Sequence, residues 1–249
     1  KYVGNPILSP NPKESWESFC VLNPAVIYDS KNRKFVMFYR AAGEDYEHKI
    51  TLGLAESEDG YHFTRMAKDP VFPLHPDEPD GGTIEDPRLV QIGERYYMVY
   101  ASKTWFVGRY WLKSEERYSH GVERANEPEG VPLFARENNS VSYLALSNDL
   151  AHWKRCGRIS DSRFDDRDNV IFPGKVAGKY WKLSRPYCDG DHPSIWISSS
   201  NDLMEWPAAE KFYAYGQEDW ESDRVGAGCP PILTELGWLL IYHGISKVD

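Results

Sequence analysis

No stretch of this 249-residue sequence approaches the roughly 18 consecutive apolar residues of a membrane-spanning helix, so no membrane span is expected. Basic residues are in the minority, 29 against 38 acidic ones, and no Lys/Arg-rich run stands out, which argues against a nucleic-acid surface. The four cysteines contain no C-x-x-C pair and the seven histidines no paired spacing, so free thiols and no metal site are expected. The 17 prolines and 19 glycines follow no period, which excludes a collagen-like chain and disfavours long helices.

Aromatic residues, by contrast, are abundant. The chain has 16 Tyr and 9 Trp. Rings that are apolar over most of their surface and polar at one end suit the packing of β-strands, and they also suit stacking on the apolar faces of sugars. Both uses are open at this point.

Two patterns recur along the chain and predict its architecture. In the first, a proline or Phe-Pro precedes a short apolar strand, a turn, and a second strand with alternating apolar residues, which is typical of a β-hairpin. It occurs near residues 24–40, 87–101, 172–185 and 231–243. In the second pattern, a strand ends in an Asp turn and an aromatic residue follows four positions later, at 55–63, 145–153 and 198–206.

The alternation of these patterns predicts an all-β chain of four-stranded antiparallel sheets, each the blade of a β-propeller, in one domain over residues 1–249. An ordinary β-sandwich is the alternative. Equivalent positions of propeller blades surround one axis, so Arg40, Ala101, Arg185 and His243, which follow the hairpins, are expected to meet. The hairpins recur about every 68 residues, which leaves room for fewer than four full blades. Either the ring is a tight four-bladed one or C-terminal material is absent, and the second is favoured.

Four segments carry a resemblance to a known family: NPAV at 23–26, GGTIEDPRLV at 81–90, FPGKVAGKYWKLSRP at 172–186 and PPILTELGWLLIYHG at 230–244. These motifs, and their order along the chain, resemble those of glycoside hydrolase family 130, which comprises the β-mannoside phosphorylases and related mannosidases. The resemblance implies a five-bladed β-propeller, of which this chain lacks most of the fifth blade. It also implies inorganic phosphate as a co-substrate, with no other cofactor and no metal.

The Glu-Asp-Pro-Arg motif of that family carries its catalytic acid, which the resemblance places at Asp86. In the family the acid protonates the departing sugar oxygen, in some members through the 3-hydroxyl of the mannosyl group. From the residues alone, Pro87 is expected to hold the backbone of Asp86 extended. The like charge of Glu85 would favour a protonated carboxyl, as an acid needs. The alternative is a turn in which Glu85, Asp86 and Arg88 form surface ion pairs.

An inverting phosphorylase needs side chains that hold a phosphate dianion, and Arg suits bidentate contact with phosphate. The resemblance implies phosphate ligands at Arg40, Lys175 and His243, with Tyr242 adjacent. Arg167 is a further candidate for phosphate or sugar. The alternative for each of them is a surface cation or a structural ion pair.

Sugar contacts are predicted at strand ends and in the loops that follow them. The candidates are Asn23, Asp86, Arg88, Trp105, Arg185 and a carboxylate from Asp189 or Asp191. Trp105 is the best candidate for a stacking platform, and packing between blades is the alternative for it. Trp153 and Trp206 belong to the second repeat pattern and are expected in the core.

Together these features predict an inverting phosphorylase that cleaves a β-mannoside with inorganic phosphate and releases mannose 1-phosphate. An inverting β-mannosidase is the alternative, and it would need a second carboxylate such as Asp168, Glu221 or Asp223 to activate water. A sugar-binding propeller without turnover is a third hypothesis. The expected partners are a small oligosaccharide and phosphate, a homo-oligomer stays open, and a phosphorylase would favour the cytoplasm. The polar segment 109–139 matches no family pattern and is either a loop over the pocket or an oligomer contact.

Overall fold

A computed structural model describes residues 2–75, 77–108, 138–161, 163–188, 192–214 and 218–247. Over these residues the chain is all-β, as predicted, with sixteen strands and two short 3-10 helices at Ser15–Glu17 and Asp219–Glu221. Within the same residues, no helix has both the length and the hydropathy that a bilayer crossing needs. Asp189, Asp191 and almost all of segment 109–139 lie outside the described residues.

The strands are between two and ten residues long. In chain order they are β1 (Cys20–Asp29), β2 (Lys34–Ala42), β3 (Ile50–Ser57), β4 (Thr64–Arg65), β5 (Glu85–Ile92), β6 (Arg95–Ser102), β7 (Val141–Ser147), β8 (Lys154–Arg158), β9 (Asp165–Ile171), β10 (Tyr180–Tyr187), β11 (Ile195–Ser200), β12 (Glu210–Tyr213), β13 (Arg224–Ala227), β14 (Ile232–Thr234), β15 (Gly237–Leu239) and β16 (Tyr242–Ile245).

The described strands form three four-stranded sheets in which neighbours in the chain are neighbours in the sheet. Their orders are β1-β2-β3-β4, β5-β6-β7-β8 and β9-β10-β11-β12. Two smaller ladders, β13 with β16 and β14 with β15, complete the described pairing. The predicted hairpins near 24–40 and 87–101 coincide with β1–β2 and β5–β6.

The third hairpin is displaced from its predicted position, whereas the fourth lies within its predicted range as the short β14–β15 pair. Strand β10 pairs with β9 at 165–171, so the stretch 172–179, predicted as the first strand of the third hairpin, is the connecting loop. Strand β16 pairs with β13, and β14 and β15 form a small hairpin of their own. Polar sequence explains the first difference: β9 reads Asp-Asp-Arg-Asp-Asn before its two apolar residues and shows no alternation.

The second repeat pattern folds into the same turn each time. After β7, the Ser147 hydroxyl donates to Asp149 Oδ1 at 3.1 Å, and that carboxylate accepts the backbone N–H groups of Ala151 and His152 at 2.9 and 2.8 Å. The turns that begin at Ser57 and Ser200 repeat this arrangement. Each turn follows the end of a strand, and the Asp carboxylate satisfies the backbone donors of the turn, as the Asp-turn pattern predicted.

The described chain separates into two compact units, and each has its own core. Unit 1 is Lys1–Pro87 with Ser102–Asn138, and unit 2 is Arg88–Ala101 with Asn139–Asp249. In unit 1 the buried residues Met37, Tyr39, Ala41 and Ala55 pack with Ile7, Leu8 and Trp16. Unit 2 holds two apolar clusters, one on each face of the β9–β12 sheet. That the whole chain is one domain stays a prediction.

The two repeat tryptophans take part in the turns that follow their strands, and Trp206 also lies in the core as predicted. Trp206 packs against the unit 2 cluster that contains Val99 and Leu144. Trp153 and Trp206 each donate an indole N–H to the carbonyl oxygen three residues earlier, at 3.2 and 2.9 Å. Both rings therefore stabilise the turn that follows their strand.

Candidate active site

The first group of predicted site residues forms a cluster in unit 1, which we call the acidic cluster: Asn23, Arg40, Glu85 and Asp86. The amide nitrogen of Asn23 donates to Asp86 Oδ1 at 2.8 Å, and Arg40 Nη1 donates to the same oxygen at 3.1 Å. The same Arg40 nitrogen lies 2.9 Å from Glu85 Oε2. A proton carried by Asp86 would therefore sit on Oδ2, because both donors point at Oδ1.

An unusual backbone conformation positions two side chains of this cluster, those of Asn23 and Asp86. Asn23 and Asp86 have left-handed φ angles of 46° and 49°, a region that Asn and Asp occupy more readily than other non-glycine residues. The extended backbone predicted for Asp86 is therefore wrong. In β1 the residues Asn23 and Pro24 stand opposite Tyr39 alone, so the strand bulges at this point. Such bulges redirect a side chain away from the regular alternation of a strand.

Arg40 changes the electrostatics that the sequence predicts for this motif. Glu85 and Asp86 were expected to act on each other as like charges alone. The guanidinium of Arg40 lies between the two carboxylates and pairs with both. The ion pairs are not surface ones, because the Glu85 side chain is only 8% exposed. Arg40 is thus committed to orienting the proposed acid.

The second group forms a cluster in unit 2, which we call the cationic cluster: Arg88, Asp168, Arg185 and His243. Arg185 Nη1 lies 2.7 Å from Asp168 Oδ2, and His243 Nε2 lies 3.4 Å from the same oxygen. Arg88 Nη2 lies 3.8 Å from Asp168 Oδ1. One carboxylate is therefore surrounded by two guanidinium groups and an imidazole.

Asp168 is the residue that organises this cluster. It has a left-handed φ of 53°, and with Asn169 it stands opposite Ser184 alone, which repeats the bulge of β1 in β9. Burial would raise the pKa of Asp168, but the hydrogen bond with His243 and the charges of Arg185 and Arg88 outweigh it and hold the pKa below its usual value. The carboxylate is ionised at neutral pH and stabilises the cations around it.

Close packing at Gly226 completes the cluster. Gly226 pairs with His243 across β13 and β16. A Cβ atom at Gly226 would overlap Asp168 Oδ2 and the His243 ring, so only glycine lets the two side chains approach. Arg185 is 7% exposed, and its Nε–H makes no hydrogen bond within the described part of the chain. The cluster thus has a buried cationic donor that is not used up by Asp168.

Two of the residues predicted to bind phosphate, Lys175 and Arg167, have contacts outside both clusters. Lys175 lies exposed in the β9–β10 loop, with its ammonium 4.8 Å from the centre of the Tyr180 ring. Arg167 makes a bidentate contact with Asp165 at 2.8 and 3.0 Å. The displaced third hairpin explains the position of Lys175, since residues read as the end of an inner strand form the connecting loop.

Tyr242 belongs to a structural motif that the sequence shows twice. Its hydroxyl donates to the buried carboxylate of Glu221 at 3.0 Å, and its ring contacts Trp220. In unit 1 the Tyr39 hydroxyl donates to the buried Glu17 at 2.9 Å in the same way. The repeated tripeptide Trp-Glu-Ser, at 16–18 and 220–222, is the signal that could have identified this motif.

Trp105 is held in unit 1 through its backbone. Its N–H donates to Asn138 Oδ1 at 2.9 Å, its carbonyl oxygen accepts from Asn138 Nδ2 at 3.2 Å, and a Cβ at Gly82 would overlap its main chain. These contacts fix the loop and leave the stacking role of the indole a prediction. Asp189 and Asp191, the other predicted sugar contacts, lie outside the described residues.

Comparison with known proteins identifies the family of this chain. The family model described as β-1,4-mannooligosaccharide phosphorylase matches residues 5–249. The chain belongs to glycoside hydrolase family 130. It is therefore an enzyme of the glycoside phosphorylase class, as the four sequence segments suggested.

Relatives within glycoside hydrolase family 130 are similar over most of the chain. A 1,2-β-oligomannan phosphorylase of Thermoanaerobacter sp. (strain X514) is 35% identical over 96% of this chain and 69% of its own length. A β-1,2-mannobiose phosphorylase of the same organism is 34% identical, over 97% and 70%. The solved β-1,2-mannobiose phosphorylase of Listeria innocua has a TM-score of 0.76 at 23% identity, over 99% of this chain and 75% of that one, and shares its fold.

Proposed function

We propose that this enzyme cleaves a β-1,2-linked mannoside with inorganic phosphate and releases mannose 1-phosphate with inversion. The observation that carries the proposal is the contrast in charge between the two clusters. One presents a carboxyl group with its Oδ1 held by two donors, and the other presents three cationic or basic side chains around a single carboxylate.

In the proposed reaction Asp86 is the general acid. A phosphate oxygen forms a bond to the anomeric carbon as the bond from that carbon to the glycosidic oxygen breaks, and the proton of Asp86 goes to the departing oxygen. The acid is left as a carboxylate and regains its proton from solvent. Asn23 and Arg40 orient the carboxyl and stabilise the charge that it acquires.

The phosphate ligands that we now favour are Arg185 and His243, with Arg88. Arg185 has a buried N–H group to spare, and guanidinium groups bind phosphate in bidentate geometry. Arg40, although predicted as a phosphate ligand, already pairs with two carboxylates. Lys175 and Tyr242 have the contacts described above, so we assign them no part in the reaction.

The β-1,2 linkage is proposed from the relatives. The two relatives of 35% and 34% identity are named for β-1,2-linked substrates, whereas the β-1,4-mannooligosaccharide phosphorylase of Ruminococcus albus is 27% identical. The family model carries the β-1,4 description. A β-1,4-mannoside is therefore the substrate to compare with.

The three carboxylates that could serve as the base of a hydrolase all contact other side chains. An inverting hydrolase needs a carboxylate that is able to accept a proton from water. Asp168 is ionised among cations, Glu221 accepts hydrogen bonds from Tyr213 and Tyr242, and Asp223 pairs with Arg224 at 2.6 Å. Each of the three is already engaged by neighbouring side chains, so we assign none of them as the base.

A five-bladed propeller is the fold that we propose for the complete enzyme. The described residues support this proposal because they form three four-stranded sheets in chain order. The three sheets share one strand order, and the same Asp turn follows the third strand of each. A crystal structure of the complete enzyme would show the number of blades.

The decisive experiment for the function is product analysis with and without phosphate. Incubation of the protein with β-1,2-mannobiose is expected to give mannose and mannose 1-phosphate only when phosphate is added. β-1,4-Mannobiose should react more slowly. Equal release of free mannose without phosphate would replace the phosphorylase by a mannosidase, and faster reaction of the β-1,4 substrate would overturn the linkage.

A further inference from the structure

Both faces of the β9–β12 sheet are buried and each holds an apolar cluster, but the face that bears Lys182 and Ser184 on β10, which we call the polar face, also lines a cavity with polar side chains. On β10 the residues Leu183 and Arg185 alternate with Lys182 and Ser184. Leu183 packs in the apolar cluster with Val170 and Val225. The opposite face carries polar groups, and polar groups are costly to bury unless they have a role.

The polar face lines a cavity of about 370 Å³ that is formed entirely by residues of unit 2. Lys182 and Ser198 are paired across β10 and β11, and so are Ser184 and Trp196, so all four side chains lie on one face. Trp206 and Phe164 also line the cavity. Cavities that bind small ligands measure roughly 300–1,000 Å³, so this one suits a ligand of one or two rings.

Two ionisable side chains, those of Asp166 and Lys182, are buried at this cavity, although burial of such groups is energetically unfavourable. Burial raises the pKa of Asp166 to about 6 and lowers the pKa of Lys182. Lys182 donates to the carbonyl oxygen of Ile159 at 2.7 Å and to Asn169 Oδ1 at 2.8 Å, and its ammonium lies 5.4 Å from the centre of the Trp206 ring. Buried polar groups are costly, so packing alone does not account for this part of the polar face.

The hydroxyl group of Ser198 is the observation that indicates a ligand. Its residue is 5% exposed, it lines the cavity, and its Oγ has no hydrogen-bond partner within the described part of the chain. Buried hydroxyl groups are normally hydrogen-bonded. A ligand hydroxyl in the cavity would satisfy this group.

The charges at the cavity favour a neutral ligand. Asp161 and Arg163 at its rim pair with each other, in a bidentate contact of 2.6 to 3.1 Å. The Lys182 side chain is hydrogen-bonded to two protein oxygens, and Asp166 is buried beside it. With Arg158, three basic and two acidic side chains line the cavity, so the charges nearly balance. The rings of Trp196, Trp206 and Phe164 form the apolar walls.

We propose that this cavity is a second carbohydrate-binding site of the enzyme, which takes a neutral pyranose ring. The apolar C–H face of the sugar packs on the tryptophan rings, and its hydroxyl groups bond to Ser198, Ser184 and the rim. The cavity does not include Asp86, Arg185 or His243, so the site has no part in the cleavage step. The choice of mannose as a probe rests on the proposed function.

Methionine methyl groups give a site-specific test. The chain has four methionines, and of these Met204 lines the cavity, Met66 lies exposed in unit 1, and Met37 and Met98 are fully buried. In protein with isotope-labelled methionine methyl groups, titration with mannose is expected to shift the Met204 resonance, with saturation, and to leave Met66 unchanged. Mannose has no glycosidic bond, so the result does not depend on turnover.

A pair of variants locates the shift. Ala209→Trp places a ring at the cavity and should abolish the Met204 shift, whereas Glu235→Trp adds an exposed ring in the β14–β15 turn and should leave it intact. The Met37 and Met98 resonances report whether each variant is folded, and both variants should retain phosphate-dependent cleavage of β-1,2-mannobiose.

Three outcomes would overturn the proposal. The first is an unshifted Met204 resonance up to the solubility limit of mannose. The second is a shift that persists in folded Ala209→Trp. The third is a saturable shift with inorganic phosphate alone, which would indicate an anion site. Failure of the proposed function has a different signature: no cleavage in the parent protein while mannose still shifts Met204.

Discussion

The acidic cluster and the cationic cluster are built on the same backbone device with opposite charge. In each cluster, one polar residue with a left-handed φ angle lies in a strand bulge. These residues are Asn23 in β1 and Asp168 in β9. In unit 1 one guanidinium holds two carboxylates. In unit 2 one carboxylate holds two guanidinium groups and an imidazole. The first arrangement fixes the orientation of the proposed acid, and the second gathers basic side chains around one carboxylate.

The difference shows how a repeated fold acquires two chemistries. A bulge in the first strand of the first sheet and of the third sheet presents a short polar side chain, and the groups around each cluster differ in charge. Asp86 has one cation and an amide on one oxygen, whereas Asp168 has cations on both. A functional assignment from the carboxylate alone would miss this distinction.

The largest expected effect comes from removing the acid. Asp86→Asn should lower turnover of β-1,2-mannobiose about 10²- to 10⁴-fold, since general acid catalysis contributes this much. An aryl β-mannoside with a dinitrophenolate leaving group needs no proton, so its cleavage should fall far less. Initial rates with both substrates at saturating phosphate provide the measurement. Equal losses for the two would show that Asp86 is not the acid.

Removing the centre of the cationic cluster should mainly affect stability. Asp168→Asn leaves Arg185 and Arg88 without their counter-ion and is expected to cost about 3–5 kcal/mol of the free energy of unfolding at neutral pH. The folded pKa of Asp168 lies below its ordinary value of 3.8, so its stabilisation is present above that value and is lost as the pH falls through the folded pKa.

Urea unfolding of both proteins between pH 7 and pH 3 measures this effect. The difference in unfolding free energy should be largest near neutrality and should shrink in acid below the unfolded pKa of 3.8. A difference that is independent of pH would mean that the carboxylate charge does not hold the cluster together.

A smaller effect is expected when the charge of the cationic cluster is kept and its geometry is lost. Arg185→Lys should raise the KM for phosphate about 10- to 100-fold, because hydrogen bonds to charged groups are worth roughly 1.5–3 kcal/mol. The KM for β-1,2-mannobiose should change little. Arg167→Lys is the matched control, since Arg167 pairs with Asp165 instead. An equal rise in both variants would remove Arg185 from the phosphate site.

The smallest effect separates structure from chemistry at Tyr242. Tyr242→Phe removes the hydrogen bond to Glu221 and should cost about 1 kcal/mol of stability, with no change in the KM for phosphate. Tyr39→Phe, which removes the equivalent bond to Glu17, is expected to cost a similar amount. A raised KM for phosphate in Tyr242→Phe alone would restore its predicted role as a ligand.

Sequence patterns predicted the all-β class and the Asp turns, because alternation and turn chemistry are local properties. They failed at β9, where the strand is polar and takes its place through pairing with β10 and not through its own apolar periodicity. That failure displaced Lys175 from an inner strand end to a loop. The left-handed backbone of Asp86 was also missed, since Pro87 favours an extended neighbour and tertiary contacts override that preference.

Partnerships within the site were beyond the reach of local patterns. Asn23, Arg40 and Asp86 were each singled out, but the commitment of Arg40 to both carboxylates depends on residues 46 apart in the chain. The central place of Asp168 depends likewise on Arg185 and His243, which lie on other strands. Motifs identify residues, whereas long-range contacts decide their charge environment.

The bulge at Asn23 and Pro24 has a consequence for the chemical ageing of the enzyme. Asparagine side chains are lost slowly by deamidation, in which the backbone nitrogen of the next residue attacks the amide carbon after losing its hydrogen. Pro24 has no such hydrogen to lose. The reaction is blocked at Asn23, so the amide that donates to Asp86 is protected from conversion into a carboxylate that would repel it.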